Sequence, residues 1–289
     1  MFNILVTGAN GQLGSELREL SVSYPQHHFF FTDVATLDIT DKKSIDLFIR
    51  ENKITTIINC AAYTAVDKAE SEPKLADKIN HLAVQYMAEA AKVYSCKFIH
   101  ISTDYVFAGT NYLPYKETDK PNPQSVYGST KLAGELALQK INPENAIIIR
   151  TSWVYSGYGN NFVKTMLRLG NERKELGVIY DQIGTPTYAG DLAKTILEIL
   201  PKIENKKVEI FHFSNEGVCS WYDFAKAIFE STNTNCKVNP ISTAQYPTAA
   251  KRPQYSILDK TNIKERFNVD IPNWRDALKE CLSKIKNIK

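Results

Sequence analysis

The sequence predicts an α/β protein: a doubly wound parallel sheet with a smaller C-terminal α/β domain. Three observations carry this expectation. Short apolar runs of strand length alternate with longer segments of helical periodicity from Ile4 to Arg150. The first run, Ile4-Leu5-Val6, is followed at once by Gly8, Gly11 and Gly14. A later run, Lys97 to Ser102, ends in the polar trio Thr103-Asp104-Tyr105, as central strands do where their carboxyl ends carry a site.

Ile4-Leu5-Val6 is too short for a helix and suits a strand buried on both faces. Gly8 allows a tight turn off that strand, Gly11 lets backbone N–H groups approach a pyrophosphate, and Gly14 lets a helix over Leu13 to Leu20 lie close to the sheet. The expected architecture is therefore of the Rossmann type. A strand at His28 to Phe31 leads to Asp33, placed where a carboxylate meets the adenosine ribose. Such a carboxylate repels a 2′-phosphate, a lean towards NADH over NADPH. The same Asp33 is also good turn-capping chemistry, and Lys42 or Lys43 can swing towards a phosphate.

A helix over about Asp41 to Asn52 precedes a strand at Thr56 to Asn59, and the small residues Cys60-Ala61-Ala62 then leave room for a ligand before Tyr63-Thr64. A short charged helix from Ala65 is expected to stop at Pro73, with a long helix from Leu75 to Tyr94. After the Lys97 strand come a proline-rich loop, Pro114 to Pro123, a helix opening near Val126, and a strand at Ala146 to Arg150. A helix from Ala189 to Leu200 and a strand from Val208 to Phe213 complete the sheet. The expected division is residues 1–153 with about 187–215 for the dinucleotide domain, and about 154–186 with 216–289 for the smaller one.

Composition narrows the function classes. A net charge of +3 over 289 residues, without a run of like charges, argues against nucleic acid. No apolar segment approaches membrane-spanning length and the chain opens on a strand, so a soluble cytoplasmic protein is the expectation. Five scattered cysteines and five histidines lack disulfide or zinc spacing, and no residue is assigned to a metal. The basic stretch from Lys279 reads as the wet face of a last helix.

Tyr127 and Lys131 lie four residues apart, on one helical face. Two other Tyr-x-x-x-Lys matches exist, Tyr112/Lys116 and Tyr222/Lys226, but the first encloses Pro114 and the second follows the sheet. A phenol with a reference pKa near 10 needs roughly 3 kcal/mol to fall by about two units, and a nearby ammonium supplies that order of energy. Lys131 can also hold nicotinamide ribose hydroxyls, and the Thr103 hydroxyl can orient a carbonyl oxygen beside Tyr127. The chemistry suggested is hydride transfer to a ketone with proton transfer from Tyr127.

The Thr-Gly-x-x-Gly-x-x-Gly spacing resembles the extended branch of the short-chain dehydrogenase/reductase superfamily. Thr103 to Phe107, Val126 to Glu135, Arg150 to Tyr155, Thr64 to Glu70, Gly159 to Phe162, Asp181 to Thr187 and Arg252-Pro253 together resemble the dTDP-4-dehydrorhamnose reductase family, from residue 2 to about 275. That resemblance implies reduction of the 4-keto group of dTDP-4-dehydro-L-rhamnose by NADPH or NADH, with Tyr127 as proton donor, Lys131 its partner and Thr103 orienting the carbonyl. It implies Gly8, Gly11, Gln12, Leu13, Gly14, Asp33, Asp38, Ile39, Ala62, Tyr63 and Thr64 at the cofactor, and Thr103, Asp104, Trp153 and Arg252 at the sugar nucleotide. Trp153 also reads as a core or hinge aromatic, and Arg252 as a surface ion pair. Mg²⁺ binding in such proteins uses acidic residues; Glu16 is present, but Gly190 stands where a second acid aligns, with Asp191 one place later, so Mg²⁺ dependence stays open. A homodimer is compatible with the chain. The alternatives are a nucleotide-sugar epimerase or dehydratase of the same branch, the latter disfavoured because Tyr105 replaces the expected glutamate, and a non-catalytic dinucleotide-binding regulatory subunit.

Overall fold

The computed structural model describes residues 1–288. Five strands, β1 (Asn3–Thr7), β2 (His28–Thr32), β3 (Thr56–Asn59), β4 (Lys97–Thr103) and β5 (Ala146–Thr151), join Glu209–His212 in one six-stranded sheet. The order is Glu209–His212, β5, β4, β3, β1, β2, and every pairing is parallel. The chain leaves β1 for β2 on one side and returns to β3 on the other. A crevice therefore opens at the carboxyl ends of β1 and β3, where connections diverge.

Period-two alternation assigns the sheet residues to opposite faces. Ile4, Val6, Ile58, Ile99, Ile147 and Ile149 pack with Leu13 and Leu17 of α1 (Gln12–Ser21) and with Leu192 and Ile196 of the helix Ala189–Ile199. Leu5, Ile57, Phe98 and Ile148 pack on the other face with Ile45 and Ile49 of α2 (Lys42–Glu51) and with Ala83 and Met87. Both faces are covered, which is why the strands are apolar at consecutive positions.

A second core gathers Tyr155, Val163, Met166, Phe224, Ile228, Trp274 and Leu278, beside the parallel pair Glu175–Ile179 and Lys237–Ile241. Part of the expected smaller domain lies elsewhere: Ile263, Phe267, Val269 and Ile271 pack into the first core, with Phe267 edge-on to Phe211. The helix Thr261–Phe267 buries its apolar residues where the sheet edge at Glu209–His212 would otherwise be bare.

Two helical expectations are corrected. Pro73 opens a helix at its first position, Pro73–Asp77, because its missing N–H is unneeded there. The helix then widens to a π turn over Lys78–Leu82 before continuing as Ala83–Val93. Within that turn the Asn80 side chain accepts from Tyr63 N at 2.9 Å and donates to Thr130 Oγ1 at 3.2 Å, tying the loop after β3 to the helix Val126–Ile141. The last helix, Trp274–Ile288, lies where the basic stretch was expected to be helical. Among the described residues no helix is long and apolar enough to cross a membrane.

Candidate active site

A cavity of about 710 Å³ occupies the crevice at the carboxyl edge of the sheet. Its floor is the glycine turn. Gly8 adopts φ +63°, and a Cβ there would lie 2.7 Å from Ala61 N, so only glycine lets the turn touch the loop after β3. A Cβ on Gly14 would meet Gly8 O at 2.5 Å, which explains how α1 starts so close to the turn. Gly14 therefore packs the helix and does not line the cavity, whereas Gly8, Gly11, Gln12 and Leu13 do. The N-terminus of α1 has no side-chain cap and no acidic residue in its first turn. Its free N–H groups and positive dipole end thus face the cavity, a fit for an anionic diphosphate.

Asp33, Asp38 and Ile39 line one end. The Asp33 carboxylate accepts from Asn10 N at 3.1 Å and Val34 N at 2.8 Å, which anchors it at the mouth. Asp38 is turned to its own loop, accepting from Thr40 N and Oγ1, and those bonds hold its carboxyl below the usual range. Ala62 and Thr64 line the middle, but the Tyr63 ring leaves the cavity because its hydroxyl donates to Glu72. Gly159 and Asn160 also line the cavity, with Gly159 at φ +62° beside Gln12. Their Gly-Asn pair was visible in the sequence as a block, with no local pattern to assign it a wall of the cavity.

Tyr127, Lys131, Thr103 and Asp104 converge at the other end. Ser125 caps the helix Val126–Ile141 by accepting from Gly128 N at 3.2 Å, so Tyr127 and Lys131 fall in its first turns, on the face towards β4. Thr103 ends β4, donates to Asp104 Oδ1 at 3.0 Å and accepts from Tyr105 N at 3.2 Å. Tyr105 packs edge-on to Tyr127, with ring centroids 5.4 Å apart.

Electrostatics here differ from the simple expectation that Lys131 depresses the phenol. Burial raises the Tyr127 pKa well above its ordinary value, with Thr103 alone opposing and Asp104 and Tyr105 adding to the rise. The phenol is thus protonated at neutral pH, the form a proton donor needs. Lys131 is 1 % exposed, donates to Ile101 O at 2.6 Å, and burial lowers it to about 8 despite the attraction of Glu135. Burial lifts Asp104 to about 7 against the hydroxyls of Thr103 and Ser256, and its Oδ2 makes no hydrogen bond.

Beneath this end lies a buried ion pair. Glu135 accepts from Arg150 Nη2 at 2.7 Å and Nε at 3.0 Å, and from the Ser102 hydroxyl. Both partners are almost wholly buried. The pair ties the helix bearing Tyr127 and Lys131 to β4 and β5.

Trp153 lines the cavity and stacks on Trp221 with centroids 3.6 Å apart and planes 10° from parallel. It has φ +50°, a conformation costly for a bulky residue and held here by the stack. Arg252 does not line the cavity: its guanidinium pairs with Asp67 at 2.6 Å and donates to Tyr105 Oη at 3.2 Å. Glu16 is buried against the Ser156 hydroxyl at 2.6 Å and Lys284 Nζ at 3.4 Å, and Asp191 accepts from Asn215 at 2.6 Å. Those partners engage both acids, and no group of three or more His, Cys, Asp or Glu side chains stands together among the described residues.

A doubly wound sheet with an uncapped glycine turn, an aspartate at the cavity mouth and a Tyr–Lys pair beside Thr103 defines a dinucleotide-dependent oxidoreductase of the short-chain dehydrogenase/reductase type. The match is more particular than the class. Residues 2–287 match the family model described as the RmlD substrate binding domain, and the chain belongs to that family. It is 47% identical over 288 residues to the dTDP-4-dehydrorhamnose reductase of Aggregatibacter actinomycetemcomitans, covering 96% of this chain and 98% of that one. The Escherichia coli K12 protein of the same name is 40% identical over 98% of each chain. Among solved structures, a dTDP-4-dehydrorhamnose reductase of Clostridium acetobutylicum superposes with a TM-score of 0.93 at 44% identity, covering 98% of this chain and 99% of that one. The Bacillus anthracis enzyme in complex with NADP also superposes with a TM-score of 0.93, at 40% identity, covering 98% and 99%.

Proposed function

We propose that this chain reduces the 4-keto group of dTDP-4-dehydro-L-rhamnose to give dTDP-L-rhamnose, with a reduced nicotinamide dinucleotide as hydride donor. The observation that carries the reading is the convergence of Thr103, Tyr127 and Lys131 at one end of a cavity whose other end is the glycine turn and Asp33. Whole-length relatives named for this reaction support it.

When bound, the reduced nicotinamide supplies the hydride. The α1 N-terminus would receive its diphosphate, Asp33 would hold the adenosine ribose, and Lys131 would hold the nicotinamide ribose hydroxyls. Thr103 orients the ketone oxygen towards Tyr127, whose raised pKa keeps it protonated until that oxygen gains negative charge. Asp104, titrating near neutrality with Oδ2 unpaired, is the group left to bond a sugar hydroxyl. Trp153 supplies an apolar wall, and Arg252 is within one side chain of the cavity through Tyr105, so a substrate diphosphate would compete with Asp67 for it.

A dehydratase is disfavoured because Tyr105, with no carboxyl, stands after Asp104 and its hydroxyl is engaged by Arg252. The test follows consumption of NADPH and NADH with dTDP-4-dehydro-L-rhamnose in wild type and Tyr127→Phe. Turnover that depends on the sugar nucleotide and falls by about 10²–10⁴-fold in the variant, with cofactor still bound, is expected. No turnover by a folded wild type that binds the cofactor would overturn the reading in favour of a regulatory subunit.

A further inference from the structure

We propose that His100, held by Asn59 in the tautomer with its proton on Nε2, is a positioning residue that presents this N–H to Lys131 and stabilises its neutral amine during turnover. The inference rests on the Tyr127–Lys131 reading above. It begins from a chain of polar groups, wholly buried beneath the cavity, whose donors and acceptors can be assigned by elimination.

The backbone N–H of Ala61 is an unambiguous donor, and it reaches Asn59 Oδ1 at 3.2 Å. Thr7 Oγ1 approaches the same oxygen at 2.6 Å. The Asn59 amide is therefore oriented with its NH₂ towards His100, whose Nδ1 lies 3.0 Å from Nδ2. An NH₂ group only donates, so Nδ1 must be the acceptor and the imidazole proton must sit on Nε2. Burial and the neighbouring Lys131 charge hold the ring neutral.

Nε2 lies 3.4 Å from Lys131 Nζ. An ammonium has three donors and no acceptor, so this contact sets donor against donor while Lys131 is charged. Once Lys131 gives up a proton, its lone pair can accept from Nε2–H, and the contact becomes a hydrogen bond. Nζ can donate to Ile101 O in either state, since the amine retains two N–H donors. His100 therefore favours the amine over the ammonium without closing the lysine's other contacts.

The proton balance places this in the reaction. Tyr127 gives its phenolic proton to the ketone oxygen as the hydride reaches the carbonyl carbon. The phenolate left behind needs one proton back; we assign its source to Lys131, the more acidic of the two buried groups at this end of the cavity, whose amine then regains a proton from solvent. The other titratable groups around Lys131 are Glu135 on its own helix, paired with Arg150 of β5, the Cys60 thiol after β3, and Tyr127 and Asp104, which line the same cavity. Burial favours the amine while Glu135 and Cys60 favour the ammonium; the His100 Nε2–H, 3.4 Å from Nζ, adds a contact that only the amine can accept.

Two measurements test this. Long-range proton–nitrogen correlation on the ligand-free protein reads the His100 tautomer directly: the Nε2–H form is expected at neutral and alkaline pH, and an Nδ1–H or doubly protonated ring would overturn the proposal. This readout needs no turnover, so it stands or falls separately from the proposed reaction. The pH profile of kcat is then compared in wild type, His100→Leu, which removes the N–H, and His100→Gln, which offers an N–H in its place. The alkaline limb is expected to move up by about one pH unit in the Leu variant, the size of one lost hydrogen bond, with KM unchanged and the profile restored by Gln. A Leu variant that folds and keeps the wild-type profile, or whose loss lies in KM alone, would refute it.

Discussion

Asp104→Asn exposes the electrostatics of the site in a single, nearly isosteric change. Asp104 is 3 % exposed, and burial lifts its carboxyl from 3.8 to about 7. A carboxyl raised on folding contributes stability in full below its unfolded value, and that stability is lost as pH rises through the folded value. A rise of about three units corresponds to about 4 kcal/mol in all, of which about 3 kcal/mol is lost between about pH 5 and pH 8. The amide of the variant cannot ionise and does not suffer this loss. Urea unfolding of both proteins across that range isolates the effect, because other titrating groups contribute equally to each and cancel in the difference. The variant is expected to gain on wild type by about 3 kcal/mol from the acid to the alkaline end, most of it between about pH 5 and 7. A difference independent of pH would refute the assignment of a buried, neutral carboxyl beside Thr103.

Glu135→Gln leaves the Arg150 guanidinium buried without its counter-ion and is expected to cost about 3–5 kcal/mol in urea unfolding, whereas replacing the pair together, Glu135→Leu with Arg150→Met, recovers most of it. A single variant as stable as wild type would show that the pair is not the tie between helix and sheet. Asp33→Ser removes the charge that opposes a 2′-phosphate at the cavity mouth, and kcat/KM for NADPH relative to NADH should rise by about tenfold or less, the range for one partly solvated charge. An unchanged ratio would mean that Asp33 serves only the turn it shares with Asn10 and Val34.

How much of this was legible beforehand depends on how local the cause was. Tyr127 and Lys131 could be singled out because helical spacing places them on one face, and Gly8 and Asp33 because the turn and the following strand dictate their positions. Tyr63 leaves the cavity because its ring direction is set by Glu72, nine residues on at the N-cap of the helix Pro73–Asp77, a contact that no local pattern announces. The helix Thr261–Phe267 was assigned to the wrong core because amphipathicity shows that a face is buried and not against what.

The sequence by itself determined the alternation of strand and helix and the glycine turn, since both depend on period and turn sterics, and it put Tyr127 forward over two other matching pairs, one enclosing a proline and one following the sheet. Only the tertiary structure decided that Tyr127 is driven up and not down, that Arg252 is engaged by Asp67, and that His100 faces Lys131. Those outcomes depend on burial and on partners separated by up to 185 residues. Desolvation and long-range pairing are properties of the packed molecule and leave no local pattern in the chain.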